Sequence, residues 1–266
     1  MATPSEKNLA AGQPDLSELF ASYLQGQMSL QKAGLAVAQT GDMVPFEAAP
    51  AQPADPKLAW DEALAILPFY SFKGKVKSFK TPPDWSALVA AQEPLLAVPF
   101  CLGNFPQMVR SLQPLLHPDK LHEVKSTNAQ SAASAELVSW AGKIVEGRQF
   151  SDKLIAVAVL RLARDFDRAE SLLGKESEVP EDWRGAWENE RATLAWHRGH
   201  AKEALASWQT QPDSIPVLFN RCMACLFTNQ RADARAFLQK AVTHLDESSA
   251  WHHLGRLYLA LAEMKA

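Results

Sequence analysis

A pair of cysteines is the first feature of this chain whose residue types and spacing could support redox or metal chemistry. Cys222 and Cys225 form a C-x-x-C pattern, which in other proteins carries out disulfide exchange or binds zinc. No second pair of cysteines or histidines stands at ligand spacing, and the surrounding sequence places both residues in the middle of a helix. We therefore expect both thiols to pack in the core, where free cysteine is common.

Histidine pairs and a short acidic motif are weaker candidates for a metal site. His197 and His200 are three residues apart, and His252 and His253 are adjacent, but neither pair has H-E-x-x-H spacing. Residues 165–167, Asp-Phe-Asp, have the D-x-D form of a metal motif of some sugar-transferring enzymes. They fall between two predicted helices, where polar turn residues are expected. We therefore expect no metal site.

Enzyme motifs are lacking elsewhere in the sequence. It contains no G-x-G-x-x-G, no P-loop, no G-x-S-x-G and no obvious nucleophile–base pair. We expect no catalytic residue and no cofactor, and we interpret the chain as a protein that is not an enzyme. A helical enzyme with an unrecognised site in the first 130 residues is the least favoured alternative.

Composition is that of a folded protein with an ordinary surface. Of the 266 residues, 47% are hydrophobic and 21% are charged, with a formal net charge of −3. Nucleic-acid-binding proteins usually carry a basic surplus, so no nucleic-acid partner is expected. The apolar runs are far shorter than the roughly 20 residues of a membrane span. The first residues lack the pattern of a signal peptide, so we expect no membrane span and a cytoplasmic location.

The chain divides into three parts by its pattern of prolines and apolar residues. Residues 1–54 are predicted to be a flexible segment with one amphipathic helix at 15–38 and a proline-rich linker. Residues 55–149 are predicted to form a helical N-terminal region, in which Asp55 and Pro56 start a helix that extends to Leu67. Residues 150–266 are predicted to form a regular array of helices.

Further helices of the N-terminal region are predicted from capping patterns and apolar spacing. Residues 81–84, Thr-Pro-Pro-Asp, resemble a capping box that opens a helix over 85–92. Other helices are predicted over 95–102, over 108–115, around Leu121 and over 132–145. One basic, non-helical stretch at 69–80 contains Lys73, Lys75, Lys77 and Lys80. It is either a solvated loop or a surface for nucleic acid or an anionic membrane.

Alanines recur at regular intervals in the C-terminal part. Each is followed four residues later by a large apolar residue, in the pairs Ala169/Leu173, Ala204/Trp208 and Ala234/Leu238. The alanines are spaced 30 to 35 residues apart, close to the 34-residue period of the tetratricopeptide repeat. The pattern predicts helix pairs that touch at the alanines.

The last predicted helix carries the most specific motif. Trp251, Leu254, Gly255 and Tyr258 follow the pattern W-x₂-L-G-x₂-Y, which opens a tetratricopeptide repeat. Residues 150–266 therefore resemble the tetratricopeptide repeat family. The resemblance implies an all-α superhelix, a solenoid of antiparallel helix pairs, behind the helical N-terminal region. Residues 85–130 are left open as a degenerate repeat, in which Met108 takes the place of the alanine.

The resemblance also implies a function and a binding surface. Repeats of this family hold a partner peptide or helix in the concave groove of their first helices, so we expect a scaffold or adaptor for another protein. The alignment places these side chains on the concave side: Asn189, Thr193, Trp196, Phe219, Met223, Phe227, His252 and Arg256. The alternative is a structural subunit of a larger complex, in which the groove is occupied internally.

The C-terminal helix predicts a second interface. Apolar residues cover well over half of its circumference, and no second helix follows to cover them: Trp251, Leu254, Leu257, Tyr258, Leu259, Leu261 and Met264. An exposed apolar patch of this kind usually marks an interface. We expect a second copy of the chain to cover it as a homodimer, or the helix at 15–38 to fold back onto it.

Overall fold

The computed structural model describes residues 54–70, 79–92, 97–108, 133–147, 149–228 and 230–263. Every regular element within these ranges is helical, so the described part of the protein is all-α. The α-helices in chain order are α1 (Pro56–Ala63), α2 (Trp85–Ala91), α3 (Ala135–Glu146), α4 (Phe150–Leu162), α5 (Phe166–Leu173), α6 (Arg184–His197), α7 (Ala201–Thr210), α8 (Ile215–Phe227), α9 (Arg231–Val242) and α10 (Ala250–Glu263). Short 3₁₀ turns lie at Leu67–Phe69, Pro106–Met108, Glu176–Glu178 and Glu181–Trp183.

Helices α4 to α9 form three consecutive pairs, α4 with α5, α6 with α7 and α8 with α9, and α10 packs against α9. The turn within each pair has the same hydrogen bond. The amide of Asp165 donates to Leu160 O, that of His200 to Ala195 O and that of Gln230 to Cys225 O, at 2.9, 2.9 and 2.7 Å. This six-residue closure is the Schellman end of a helix. Arg164 (φ 60°) and Gly199 (φ 87°) supply the left-handed residue in the first two turns.

The predicted contact alanines lie where the sequence places them. Ala169, Ala204 and Ala234 are fully buried in α5, α7 and α9, together with the large residues four positions later. Gly255 in α10 shows why the motif needs a small residue there. A Cβ atom on it would lie 2.8 Å from Val242 Cγ2 of α9, which is closer than side chains pack. The prediction that these small residues lie at helix contacts is confirmed.

The predicted ends and caps of α1 and α2 are correct in part. Asp55 caps α1 through its carboxylate, which accepts hydrogen bonds from the amides of Lys57 and Leu58 at 2.8 and 3.4 Å. That helix ends at Ala63 instead of reaching Leu67. Helix α2 begins at Trp85 as expected, but Asp84 does not cap it through its side chain. Its carboxylate instead accepts a hydrogen bond from Ser134 Oγ at 2.6 Å.

The predicted helix over 95–102 is wrong, because residues 97–102 are not helical. Pro99 has no amide donor for a helix, and the neighbouring main-chain atoms bond to side chains of distant helices. The proposed degenerate repeat is not found in the described residues 97–108, which hold only one 3₁₀ turn ending at Met108. The predicted helices at 15–38 and around Leu121 lie outside the described residues. So do residues 109–115 of the helix predicted over 108–115, and Lys73, Lys75 and Lys77.

One hydrophobic core joins the N-terminal region to the helix pairs, from Ala54 to Ala262. The predicted exposed patch on α10 is therefore wrong. Trp251, Leu254, Leu257, Tyr258 and Leu261 are buried and Leu259 is partly buried, while Met264 lies outside the described residues. Glu62 and Phe100 contribute to the cover, since Trp251 Nε1 donates to Glu62 O at 3.3 Å and the Phe100 ring lies 4.3 Å from the Trp251 ring. Within the described ranges, none of the helices has the length and apolarity needed to cross a membrane.

Candidate peptide-binding groove

Residues 97–108, called here the crossing segment, lie against the first helices of the helix pairs. The contacting helices are α4, α6, α8 and α10, and we call their shared contact face the groove. Its polar side chains are Arg161, Asn189, Glu190, Asn220 and Tyr258. The crossing segment therefore occupies the face that the sequence assigned to an external partner.

The predicted groove residues differ in their exposure. Asn189, Thr193, Phe219 and Met223 are fully buried and Phe227 is 8% exposed, while Trp196 and His252 are half-buried and Arg256 is exposed. Asn189 hydrogen-bonds to the crossing segment, and Phe219 contacts it through its ring. The ring of Phe227 packs against Tyr258, and that of Trp196 against Trp208.

Two asparagines on neighbouring helices hold the main chain of Phe100. The amide of Phe100 donates to Asn220 Oδ1 at 2.6 Å. Its carbonyl oxygen accepts from Asn189 Nδ2 at 3.1 Å and from Asn220 Nδ2 at 3.0 Å. The two asparagines also bond to each other, since Asn220 Nδ2 donates to Asn189 Oδ1 at 2.8 Å, and Trp208 Nε1 donates to the same oxygen at 2.9 Å. This network holds both amides in the orientation that meets the main chain of Phe100.

The main chain of Leu102 is held by an ion pair. Its amide donates to Glu190 Oε1 at 2.8 Å, and its carbonyl accepts from Arg161 Nη2 at 2.5 Å. The Arg161 guanidinium lies 3.3 Å from Glu190 Oε2, and also donates to Asn104 Oδ1 at 2.9 Å. At the other end of the groove, the amide of Val98 donates to the Tyr258 hydroxyl at 3.1 Å. Helices α4, α6, α8 and α10 thus each bond directly to the crossing segment.

Burial shifts the pKa of Glu190 in this ion pair and that of the neighbouring His197. Arg161 and Glu190 are at most 1% exposed. Burial raises the pKa of Glu190 above its usual value, and the positive charge of Arg161 opposes that rise. Burial, followed by the charges of Arg161 and Arg164, lowers the pKa of His197 well below its usual value. Arginine can only donate, so His197 Nδ1, 3.3 Å from Arg161 Nη1, is the acceptor on a neutral ring.

The Phe100 side chain fills an aromatic pocket. Its ring centroid lies 5.6 Å from Phe69, 5.7 Å from Phe219 and 4.3 Å from Trp251. Phe100 is only 1% exposed. Farther along the crossing segment, the Phe105 ring packs against Trp85 of α2 at 6.0 Å. The groove therefore takes one aromatic side chain as an anchor and bonds to the main chain on both sides of it.

The sequence did not identify Arg161 and Glu190 as site residues. A signal was present for Arg161, which is the only charged residue in the apolar run from Leu154 to Leu162. A lone charge inside a buried helix requires partners, because an unpaired charge is very costly to bury. No comparable signal identified residues 97–108 as the segment that supplies those partners.

The two candidate cysteines lie in the core. Cys222 and Cys225 are fully buried and reduced. Burial raises the pKa of Cys222 well above its usual value and that of Cys225 to about 11, which disfavours the thiolate that exchange or zinc binding needs. Asp165 caps α5. Among the described residues, His, Cys, Asp and Glu do not gather in any group of three or more that could hold a metal ion.

Comparison of the chain with protein-family models, with curated proteins and with solved structures finds no match. The geometry of the groove is therefore the basis for any assignment of function.

Proposed function

We propose that this protein is a non-catalytic scaffold or adaptor, a TPR-like superhelical array whose groove recognises an extended peptide. One observation supports this most strongly. Side chains from the first helices α4, α6 and α8 and from α10 bond to the main chain of a non-helical segment. An array that recognises a partner peptide needs this arrangement, because main-chain bonds give affinity and side-chain pockets give specificity.

The burial of polar and charged side chains in the groove supports the same proposal. Arg161, Asn189, Glu190 and Asn220 are all at most 1% exposed, and burying such groups is unfavourable unless every one is bonded. An apolar core would achieve the same packing with fewer constraints. The hydrogen bonds that these side chains form with a peptide main chain offset the free energy of burying them, and they hold the peptide in one register.

A second candidate function is a structural subunit of a larger complex. The crossing segment is buried in the same core as the helix pairs, with Val98, Phe105 and Met108 at 0% exposure. A groove that is filled in this way leaves the other surfaces of the protein to contact neighbours. This candidate makes no use of peptide exchange.

Native purification separates the two candidates. Tagged full-length chain is isolated from its source cells, and its complexes are analysed by mass spectrometry and native mass measurement. Exposed Arg256, assigned to the groove face, is compared with exposed Arg168 on α5, each as its alanine variant. An adaptor predicts several complexes that Arg256→Ala weakens and Arg168→Ala does not. One complex of fixed stoichiometry, unaffected by either change, supports the structural subunit, and a chain recovered alone contradicts both.

A further inference from the structure

We propose that the crossing segment is an intramolecular ligand that competes with the partner for the groove. The partner is then an extended peptide of the same chemistry, uncharged across the groove, with an aromatic residue between two aliphatic residues. This inference rests on the proposed adaptor function. It adds the identity of the competing segment and the sequence pattern that a partner must present.

The main-chain contacts of the groove are independent of the sequence that occupies it. The groove bonds to the amides of residues 98, 100 and 102 and to the carbonyl oxygens of residues 100 and 102. A residue other than proline carries the same donor and acceptor. A second peptide in the same register therefore forms the same five kinds of bond when the crossing segment leaves.

Side-chain pockets define what the competing peptide must carry. Phe100 sits among three aromatic rings, and the residues two positions away on either side, Val98 and Leu102, are 0% and 1% exposed. Gly103 follows with φ 82°, where a Cβ atom would lie 3.1 Å from Ala158 Cβ. The pattern is thus aliphatic-x-aromatic-x-aliphatic, followed by glycine.

Charge excludes acidic and basic peptides from these positions. The sequence of residues 97–108 contains no charged residue. The guanidinium of Arg161, which bonds to Leu102 O and Asn104 Oδ1, is already neutralised by Glu190 at 3.3 Å. A charged peptide side chain beside this buried pair would lose its hydration without gaining a counter-charge. The groove accordingly selects an uncharged peptide.

A synthetic peptide of residues 97–108, labelled with fluorescein and carrying Cys101→Ser, is the probe. Its binding to full-length chain is measured by fluorescence anisotropy. Phe100→Ala in the chain removes the anchor of the intramolecular ligand and leaves the groove side chains intact. We expect the variant to bind the peptide at least about tenfold more tightly than the wild-type chain does. The same peptide with Phe100→Ala serves as the matched control and should lose that binding.

Phe100→Leu provides a milder variant that keeps an apolar side chain in the core, and it should bind the peptide with intermediate affinity. Equal affinities for wild type and for a folded variant overturn the proposal. The wild-type chain gives a further measurement, with a photoreactive benzophenone in place of the Phe100 ring of the peptide. Cross-links to Phe219 or Trp251 support exchange, and their absence at large peptide excess overturns it. If the peptide tests fail but the chain still forms the partner complexes described above, only the intramolecular competition is wrong and the adaptor function stands. A chain isolated without partners contradicts the adaptor function itself.

Discussion

Glu62 carries a buried carboxylate oxygen that has no hydrogen-bond partner in the described part of the chain. Its main-chain oxygen accepts the indole hydrogen bond of Trp251, and Oε2 has no partner in the described part of the chain. Burial raises the pKa of Glu62 to about 7. The unfolded chain has a glutamate pKa of about 4.3, so the folded state holds this proton more tightly. Ionisation of Glu62 therefore destabilises the fold as the pH rises from about 4 to 7.

Substitution of Glu62 tests this directly. Glu62→Gln should be close to wild type in stability at pH 4 and more stable above pH 7, by on the order of 1–3 kcal/mol. Urea unfolding followed by circular dichroism at several pH values measures the difference. Exposed Glu247→Gln is the control, and its difference from wild type should stay small throughout. A Glu62→Gln difference that does not change with pH would show that this carboxyl is not perturbed.

At the scale of single residues, the sequence located part of the groove but not its ligand. Asn189 and Phe219 were assigned to the binding face, and both contact the crossing segment. Their contacts join residues far apart in the chain, as in the bond from Phe100 to Asn220, which spans 120 positions. Local periodicity carries no information about such pairings. Buried polar residues in apolar helices, such as Arg161, are the local sign that a distant partner exists.

Helix α7 shows how the repeat register controls packing. Ala204 is fully buried at the contact with its neighbours, while Ala206, two residues later on the same helix, is exposed. Ala204→Leu should lower the free energy of unfolding by about 1–3 kcal/mol, because the tight contact has no room for a larger side chain. Ala206→Leu is the matched control and should change stability by less than about 0.5 kcal/mol. Thermal and urea unfolding of both variants measure the effect, and equal losses would place the helix in the wrong register.

Two glycines give a similar comparison for the crossing segment. Gly103 has φ 82°, its amide donates to Ala63 O at 2.9 Å, and an added Cβ would meet Ala158 and Leu162 at 3.1 and 3.2 Å. Gly142 lies in α3 with nothing within 4 Å of an added Cβ. Gly103→Ala should destabilise the protein by more than about 1 kcal/mol, through backbone strain and the close contact.

The matched change Gly142→Ala should stabilise the protein by roughly 0.5–1 kcal/mol, because alanine is the better helix former. Urea unfolding of the two variants compares them under one condition. Gain of stability in both would mean that residue 103 does not adopt the left-handed conformation against α4.

At the scale of elements, the sequence predicted helices with regular spacing and failed where an apolar run was not a helix. The alanine register and the motif from Trp251 to Tyr258 identified contacts that the structure contains. The run from Leu95 to Leu102 was assigned to a helix, although residues 97–102 are not helical. A short, continuous apolar run fits a buried extended segment as well as a buried helix, so its composition could not decide between them.

At the scale of the whole molecule, the N-terminal region completes the C-terminal array. The described apolar residues of helix α10 are buried or partly buried, with Phe100 and the carbonyl of Glu62 lying against Trp251. The apolar pattern predicted a cover by the helix at 15–38 or by a second copy, and it did not predict the contacts with Glu62 and Phe100. Self-association through this helix and fold-back of the helix at 15–38 both stay predictions.

The central claim is that side chains of the first helices hold the main chain of residues 98–102, and amide hydrogen exchange tests it most directly. Val98, Phe100 and Leu102 lie outside helices, so their amides are protected only if Tyr258, Asn220 and Glu190 accept their hydrogen bonds. In the folded wild-type chain, exchange at these three amides should be slower than in an unstructured peptide by at least about 100-fold. Asn220→Ala should accelerate exchange at Phe100 more than at the helical amides of α4. Unprotected amides at all three positions, in a chain whose α8 amides are protected, would contradict the claim.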